Sequence, residues 1–477
     1  MSRSIRAHPR LDHGRPTRVC IPGPITFPTT PVPQRKPIEL TFSLEFLTPA
    51  FLGGAQPRRV DPFTPLRPGS LRGLWRYWFR AIAASLMWPE SPRGEGAMLK
   101  ELQEAEARLF GDTSRRSPVV LLPPELHPPR GKTIPFKQPI PNQRENPGLR
   151  YLGYGLFEDK HKKPPECIPE GSTATITCLL RPYASDGPAI EALCATLWTW
   201  AAIGGIGGRS RRGYGSVRLT GINIKTPKTD EFAKILQPWR QQIALRSTPN
   251  EYFAALRDGI GRAQDAMTKF LQDQRLGDRQ LHNAAQGPHV AIRTLDGLAA
   301  AQGLRHSYDS GLEALEHAGS LFQDFRSTLR RSSRKLPPLA DYFEVKGSLQ
   351  APFTTPRHVI RAAFGLPLPF YFRSLNSAST RFSPRVAHSK ETSDRLASPL
   401  FFRVYRLNNN KYGVALLNLA GKSTAKPLQG CTINQHRKRE PIPAPSARII
   451  DDFISWAKAQ PYRPKRQPHS QRRRRRR

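Results

Sequence analysis

The part of the chain that most constrains its fold is the run Gly204-Gly205-Ile206-Gly207-Gly208-Arg209-Ser210-Arg211-Arg212-Gly213-Tyr214-Gly215. An apolar stretch with helical spacing, 189–203, precedes it, and an alternating stretch typical of a strand, 216–224, follows it. Glycine lets the backbone adopt conformations that other residues avoid and lie close to a ligand. Arginine offers paired donors that fit phosphate oxygens. The run therefore indicates a site for a polyanion, and RNA is the polyanion that we expect.

Two kinds of group in this run are candidates for RNA contact: backbone N–H groups freed by glycine, and the guanidinium groups of the arginines. The alternative is a tight helix-to-strand connection without a ligand, although six glycines exceed what a turn needs. The predicted RNA-binding residues of the run are Gly204, Gly205, Gly207, Gly208, Arg209, Arg211, Arg212, Gly213 and Tyr214.

The charge balance of the whole chain supports a polyanionic partner. Of its 477 residues, 75 are Lys or Arg and 37 are Asp or Glu, which gives a formal net charge of +38. Residues 461–477 hold nine basic and no acidic side chains, and residues 1–37 hold seven basic and one acidic, so residues 38–460 still carry +23. Such a charge attracts nucleic acid or an anionic membrane and makes binding sensitive to salt. A GC-rich genome, which favours arginine, would explain part of this excess, but not the clustering of the arginines with glycine.

The composition disfavours several other classes of protein. The five cysteines are scattered without CxxC spacing, which argues against a disulfide framework and against a zinc site. No apolar run approaches the ~18 residues of a transmembrane helix, and the N-terminus lacks the apolar stretch of a signal peptide. We therefore predict a cytoplasmic protein without membrane contact, which needs no metal and no other cofactor.

Composition and periodicity divide the chain into four regions. Residues 1–37 are rich in Pro and Arg and are predicted to be a disordered arm. Residues 38–225 show the order strand, helix, strands, helix, strand, which is that of a ferredoxin-like unit with insertions. A second α+β domain of similar kind is predicted at 226–460, with an insertion at 275–316, and a basic tail at 461–477. The predicted fold class is therefore α+β, with two ferredoxin-like (RRM-like) domains and disordered basic tails.

Individual elements follow from apolar spacing and turn residues. A capping box, Thr248 to Glu251, is predicted to start a helix at Pro249. The predicted strands are 38–46, 119–122, 149–157, 172–180, 216–224, 368–372 and the hairpin pair 400–407 and 412–419. The predicted helices are 70–87, 97–109, 189–203, 249–274, 318–330 and 447–459.

The predicted helix 70–87 has an apolar face and a basic face. Arg72, Arg76 and Arg80 are four residues apart and form a stripe that would contact RNA, or be solvated, or pair with acidic residues of a neighbouring subunit. The positions predicted to face a core are Leu71, Trp75, Trp78, Ile82 and Leu86.

The start of the same helix is a second candidate site for phosphate. Ser70 is a good N-cap residue, and the positive end of a helix dipole favours an anion. Arg67 and Arg72 flank this start and would neutralise the same anion. We therefore add Arg67, Ser70, Arg72, Arg76 and Arg80 to the predicted RNA-binding residues.

Several motifs in one order resemble a known family. The series begins with Thr48-Pro49-Ala50-Phe51-Leu52-Gly53-Gly54-Ala55 and Leu66-Arg67-Pro68-Gly69-Ser70-Leu71-Arg72-Gly73-Leu74-Trp75-Arg76-Tyr77-Trp78-Phe79-Arg80-Ala81. It continues with Leu109-Phe110-Gly111, Tyr151-Leu152-Gly153-Tyr154-Gly155, the glycine-arginine run and Ser398-Pro399-Leu400-Phe401-Phe402. This series resembles the Cmr subunit 1 family, which consists of RAMP-superfamily proteins of type III-B CRISPR systems.

The resemblance implies a pair of ferredoxin-like domains at the head of a ribonucleoprotein used in antiviral defence. It implies a position near the 3′ end of the guide RNA, a contribution to binding of target RNA, and contact with other Cmr subunits. In this family other subunits carry out the cleavage, so the resemblance implies an RNA-binding subunit that is not an enzyme. It offers no role for the arginine-rich tail.

Two alternatives remain open from the residues alone. Asp61, in Val60-Asp61-Pro62, is placed where cutting RAMP subunits carry a catalytic aspartate, and it would act as a metal-dependent endoribonuclease residue. The plainer interpretation of Asp61 is an Asp-Pro pair that starts a turn. The other alternative is a general basic RNA-binding protein whose tails bind any polyanion.

Overall fold

The computed structural model describes the chain in segments that lie between residues 37 and 462. The predicted arm, the predicted tail beyond residue 462 and most of the predicted insertion at 275–316 lie outside the described residues. The described residues are 37–54, 56–87, 95–157, 163–181, 186–226, 229–273, 302–304, 306–326, 341–350, 354, 356–357, 359–366, 368–375, 378–384, 397–419, 431–435, 438–442 and 448–462.

Helices and short antiparallel sheets alternate along these segments, which confirms the α+β class. The strands are β1 (Ile38–Phe46), β2 (Val119–Leu121), β3 (Glu125–His127), β4 (Phe136–Lys137), β5 (Glu166–Cys167), β6 (Thr173–Leu180), β7 (Val217–Lys225), β8 (Gln302–Gly303), β9 (Leu368–Phe372), β10 (Ala378–Pro384), β11 (Leu400–Arg406), β12 (Tyr412–Asn418), β13 (Cys431–Gln435) and β14 (Lys438–Ile442). The helices are α1 (Pro68–Met87), α2 (Glu95–Phe110), α3 (Pro147–Leu152), α4 (Gly187–Ile203), α5 (Thr229–Gln242), α6 (Pro249–Asp273), α7 (Gly311–Arg326), α8 (Asp341–Ser348) and α9 (Arg448–Ala459).

The largest sheet is built from the first half of the chain. Its strands follow the order β2-β6-β1-β7, every pairing is antiparallel, and β3 also pairs with β6. In sequence α1 lies between β1 and β2, and α4 lies between β6 and β7. Residues of β1 alternate between buried and half-buried because successive side chains of a strand point to opposite faces. Leu40, Phe42 and Leu44 occupy the buried positions.

Helices pack on this sheet and form the first core. The rings of Trp75 on α1 and Trp200 on α4 lie 6.2 Å apart, and both side chains are fully buried. Helix α6 packs against α4, where Gly259 makes room for the ring of Trp198. The five apolar positions predicted on α1 are all buried, so the predicted core face of that helix is confirmed.

The second half of the chain contributes two further sheets, in the orders β11-β12-β8 and β14-β13-β10-β9. A second core lies between β11, α7 and α9, where Phe322, Phe402 and Phe453 contact one another. A third core forms between α8 and β9, around Val345 and Phe372. The predicted domain boundary between residues 225 and 226 stays a prediction.

Three expectations about elements were wrong. Residues 149–157 were predicted as a strand, but residues 149–152 belong to helix α3. The start of this helix is stabilised by the buried carboxylate of Glu316, which accepts the N–H groups of Gly148 and Leu149. Helix α1 begins at Pro68 rather than at Ser70. Helix α7 begins at Gly311, inside the predicted insertion. Elements not predicted are β3, β4, β5, β8, β10, β13, β14, α3, α5 and α8.

Candidate nucleic-acid interface

The glycine-arginine run forms a compact turn between α4 and β7. The N–H of Ile206 donates to the carbonyl of Gly215 at 2.9 Å, which closes the turn. The N–H groups of Gly208 and Gly215 donate to the carbonyls of Phe51 and Pro49 at 2.7 and 2.8 Å. These N–H groups therefore bind the segment that follows β1, and they are not held open for an anion.

Three glycines of the run are required by backbone geometry. Gly207, Gly213 and Gly215 have φ values of +85°, +87° and +64°, in the left-handed region that favours glycine. A methyl group on Gly215 would overlap the carbonyl oxygen of Ile206. The glycines therefore serve a tight connection, which was the alternative interpretation of the run. Also buried in this turn are Gly204, Gly205 and Gly213.

Arg211 fastens the turn to the start of β11. Its Nη1 donates to the carbonyl of Ser398 at 2.8 Å, and its guanidinium lies 4.9 Å from the centroid of the Phe401 ring. The N–H of Phe402 donates to the carbonyl of Arg211 at 3.0 Å. The side chain predicted to bind phosphate is thus engaged within the protein.

Arg212 is directed into the second core. Its Nη2 donates to the carbonyl of Phe364 at 3.2 Å, and its guanidinium lies 4.9 Å from the centroid of the Phe322 ring. Burial, followed by the nearby charge of Arg326, lowers the pKa of Arg212 to about 9. This arginine stabilises the junction between the turn and the second core.

Tyr214 is a core residue. Its side chain is 1% exposed, and its hydroxyl donates to the carbonyl of Leu149 at 2.9 Å. The rings of Phe51 and Phe157 pack edge-on against it, with centroids 5.4 and 6.0 Å away. Tyr214 therefore presents no ring face to RNA.

Arg209 is the arginine of the run that reaches the surface. It is exposed, with φ of +63°, and it follows the exposed Gly208. Its guanidinium lies against Gly155, where an added methyl group would stand 2.8 Å from Nη2. The neighbouring Tyr154 is 61% exposed. The tip of the turn therefore places a cation against Gly155, the residue after the exposed Tyr154.

The start of α1 differs from the predicted N-cap. The N–H groups of Ser70 and Leu71 both donate to the carbonyl of Arg67, at 3.1 and 3.2 Å, so Ser70 lies inside the first turn. Pro68 occupies the first helical position and has no N–H. Ser70 is thus not an N-cap, and the helix end offers fewer free donors to a phosphate than predicted. Arg67 is exposed, and its Nη2 donates to the carbonyl of Gly53 at 2.6 Å.

The basic stripe on α1 packs against α2 rather than facing outward as a unit. Arg76 and Arg80 both form ion pairs with Glu106, with an Arg80 Nη1 to Oε2 distance of 2.7 Å. Glu106 is 3% exposed. Arg72 Nη2 donates to the carbonyl of Val119 at 3.4 Å. The acidic partner that was expected on a neighbouring subunit thus lies in the same chain.

Asp61 is a turn residue in this structure. Its Oδ1 accepts the N–H groups of Phe63 and Thr64 at 2.9 and 3.2 Å. This bonding accounts for the Asp-Pro pair, as the plainer interpretation expected. Within the described parts of the chain, no three His, Cys, Asp or Glu side chains are grouped so as to hold a metal ion.

Sequence reasoning missed the loop 53–67. The N–H of Gly54 donates to the carbonyl of Arg59 at 2.8 Å, which closes the loop. Arg58 Nη1 donates to the carbonyl of Leu156 at 2.5 Å, and this bond ties the loop to the turn 153–157. The signal that could have identified the loop is its Arg58-Arg59 pair followed by an aromatic residue between two prolines.

Three surface segments thus meet: loop 53–67, turn 153–157 and the tip of the glycine-arginine turn. They are linked by the Arg58 bond, by the Gly208 bond to Phe51 and by the contact of Arg209 with Gly155. Cations and aromatic rings together are what a nucleic-acid surface needs. The exposed arginines and aromatic side chains of these segments, which we call the rim, are Arg59, Phe63, Arg67, Tyr154 and Arg209.

Comparisons with known proteins agree with this architecture. Residues 43–218 match the RAMP superfamily, and this range includes the whole rim. The chain is 26% identical over 193 residues to the CRISPR system Cmr subunit Cmr1-2 of Pyrococcus furiosus, covering 38% of this chain and 95% of that protein. It is 28% identical over 186 residues to Cmr1-1 of the same organism, covering 37% of this chain and 49% of that protein.

A solved structure shows the same fold over most of the chain. The crystal structure of apo Cmr1 from Pyrococcus furiosus aligns with a TM-score of 0.50 and 18% identity, covering 88% of this chain and 96% of that one. This likeness shows the fold, while the match of residues 43–218 to the RAMP superfamily and the two Cmr relatives agree with the resemblance that the motifs gave. By sequence the chain is similar to Cmr subunits of type III-B CRISPR systems.

None of the helices in the described segments is both long enough and apolar enough to cross a membrane.

Proposed function

We propose that this protein is an RNA-binding subunit of a type III-B Cmr effector ribonucleoprotein, and that it acts in the cytoplasm. The observation that carries the proposal is the rim, where Arg59, Arg67 and Arg209 are exposed on linked surface segments within the range that matches the RAMP superfamily. The relatives named above are Cmr subunits, and the chain carries +38 net charges, which suits an RNA partner. The proposed partners are guide RNA, target RNA and other Cmr subunits.

The proposed role is structural recognition near the 3′ end of the guide RNA, and not catalysis. A guide–target duplex is A-form, and proteins bind such a helix through its shape, its phosphates and its 2′-hydroxyls. Exposed guanidinium groups on a loop that is fastened at several points suit this task, because they are ordered before RNA arrives. Asp61, by contrast, has one carboxylate oxygen engaged by two backbone N–H groups. This bonding supports a non-catalytic subunit over a metal-dependent endoribonuclease.

We restrict the residues proposed to contact RNA to exposed cations. Arg67 and Arg209 remain from the sequence prediction, and Arg59 joins them. Gly208 and Ser70 are left out, because the N–H of Gly208 donates to Phe51 and Ser70 lies inside the first turn of α1. Arg80 is 46% exposed in its side chain and can contribute charge while it pairs with Glu106. The predicted residues engaged mainly within the fold are Arg72, Arg76, Gly204, Gly205, Gly207, Arg211, Arg212, Gly213 and Tyr214.

We further propose that the large sheet is a ferredoxin-like domain. Its order β2-β6-β1-β7, with α1 and α4 as the intervening helices, supports this assignment for the first half. A second ferredoxin-like domain within 226–460 is proposed only from the family resemblance, since its described strands form two separate sheets.

The proposal is tested by the salt dependence of RNA binding. We expect Arg67→Ala/Arg209→Ala to weaken binding at physiological salt about tenfold or more. We also expect it to reduce the slope of log K against log salt by about one to two units, because each lost phosphate contact removes roughly 0.7 to 0.9. The matched control is Lys100→Ala/Arg257→Ala, which removes two exposed cations from α2 and α6, outside the rim. Equal losses in both variants would show that RNA is held only by the general charge.

A further inference from the structure

Phe63 is the most exposed large apolar side chain in the described part of the molecule. It is 93% exposed, whereas Tyr154, Phe343 and Tyr371 are 61%, 62% and 57% exposed. A phenylalanine left in water forgoes about 1.5 to 3 kcal/mol of burial free energy. A side chain displayed at such a cost suggests that a partner covers it.

The loop holds Phe63 in one place. Val60 and Leu66, which flank its tip, are 3% and 2% exposed, so the loop is anchored in the core at both ends. Pro62 and Pro65 fix the backbone on either side. The N–H of Phe63 itself donates to Asp61 Oδ1 at 2.9 Å. The ring is therefore presented on an ordered support, which lowers the entropy cost of inserting it into a partner.

The charges around Phe63 indicate which kind of partner this is. Arg58, Arg59 and Arg67 lie on the same loop, and Asp61, the loop's acidic residue, bonds to backbone N–H groups. An apolar pocket of another protein needs no such excess of positive charge around its ligand. An unpaired base joined to phosphates needs both an aromatic ring and nearby cations.

We propose that Phe63 stacks on an unpaired base of the bound RNA while Arg59 and Arg67 contact the flanking phosphates. The inference rests on the proposed function, since it assumes that the rim binds RNA. The proposed function assigns only phosphate contacts to the rim. This inference adds a contact with a base and a single-stranded RNA as the ligand.

The test uses the full-length protein and a single-stranded RNA that contains 2-aminopurine. We expect Phe63→Ala to weaken binding about 5- to 150-fold, because stacking contributes roughly 1 to 3 kcal/mol per base. The salt slope should stay unchanged, because no phosphate contact is lost. Phe63→Trp should retain the affinity and the quenching of 2-aminopurine. Phe343→Ala, which removes an exposed ring next to the third core, should bind like the wild type.

Each other outcome contradicts either the stacking proposal or the proposed function. If Phe63→Ala binds the single strand like the wild type, or weakens a fully paired duplex equally, the stacking proposal is wrong although the rim still binds RNA. If it lowers only assembly with other Cmr subunits, Phe63 contacts protein and the proposal is also wrong. If the wild-type protein binds no RNA at all, the proposed function itself fails, and the two failures are thus distinguished.

Discussion

Single residues show why a sequence motif and a binding site are different things. Arg209, Arg211 and Arg212 lie within four positions of the chain, yet only Arg209 is exposed. Arg211 and Arg212 donate to the carbonyls of Ser398 and Phe364, which lie more than 150 positions away in sequence. The sequence predicted an RNA-binding site in this run. It could not show which side chains face inward, because their hydrogen-bond partners belong to distant segments.

A first prediction at this scale concerns two glycines. We expect Gly215→Ala to destabilise the protein strongly, because φ of +64° is strained for alanine and the methyl group would overlap the carbonyl oxygen of Ile206. The control is Gly73→Ala on the exposed side of α1, where nothing lies within 4 Å of the added methyl group. That change should stabilise by about 0.5 to 1 kcal/mol through helix propensity. Urea denaturation measures both, and equal effects would contradict the described turn.

A second prediction concerns Glu106, which pairs with Arg76 and Arg80. Glu106→Ala should lower the free energy of unfolding by about 1 to 3 kcal/mol, because a buried carboxylate and its hydrogen bonds are lost. This loss of unfolding free energy is smaller than the loss expected when one partner of a fully buried ion pair is removed. The reason is that the two arginine side chains are 35% and 46% exposed and can be hydrated by water. Glu104→Ala, at an exposed position of the same helix, should change stability by less than about 0.5 kcal/mol. A similar loss in both variants would refute the pairing.

At the scale of elements, a helix or strand could be predicted when the contacts that stabilise it come from its own residues. Strand β1 and helices α1, α2, α4 and α6 were predicted because their apolar periodicity is carried by their own residues. The predicted cap at Thr248 is confirmed, because its Oγ1 accepts the N–H of Glu251 at 3.2 Å, but the Glu251 carboxylate accepts the N–H of Ser247 at 3.1 Å. Helix α3 was missed because its start is stabilised by Glu316, on a distant helix. Tertiary contacts of this kind leave no local pattern.

The last described residues form a pH-sensitive cluster with α7. Tyr308 and His317 are hydrogen-bonded at 2.5 Å, and the N–H of Tyr462 donates to His306 Nε2 at 3.0 Å. Burial, and next the neighbouring His306, lowers the pKa of His317 to about 4. The folded state therefore holds a neutral imidazole that the unfolded chain would protonate below pH of about 6.5.

A third prediction follows from this cluster. Because the unfolded state binds the proton first, the stability due to His317 is complete above pH of about 6.5 and is lost as pH falls toward about 4. The loss is at most about 3 kcal/mol by linkage. Urea midpoints measured from pH 7.5 to 4.5 should fall, and they should fall less for His317→Asn, which keeps an acceptor near the position of Nδ1. Identical pH profiles for the two proteins would contradict the buried neutral histidine.

For the molecule as a whole, the α+β class and the RAMP resemblance were accessible from the sequence, and the matched range 43–218 agrees with the motifs. The location of the candidate site was only partly accessible. Loop 53–67 and turn 153–157 are about 100 residues apart, and their meeting at Arg58 and Leu156 is a property of the fold. The central claim is that RNA is bound along the rim created by this meeting.

Ultraviolet cross-linking of the full-length protein to RNA, followed by mass spectrometry of the adducts, tests that claim most directly. We expect adducts within residues 53–67, 153–157 and 207–209, with Phe63 and Tyr154 as the favoured positions because aromatic rings in contact with bases react readily. The same experiment on Arg67→Ala/Arg209→Ala should give fewer adducts in all three segments. Adducts confined to residues 463–477, with none in the rim, would instead show that the arginine-rich tail holds RNA and that the rim does not.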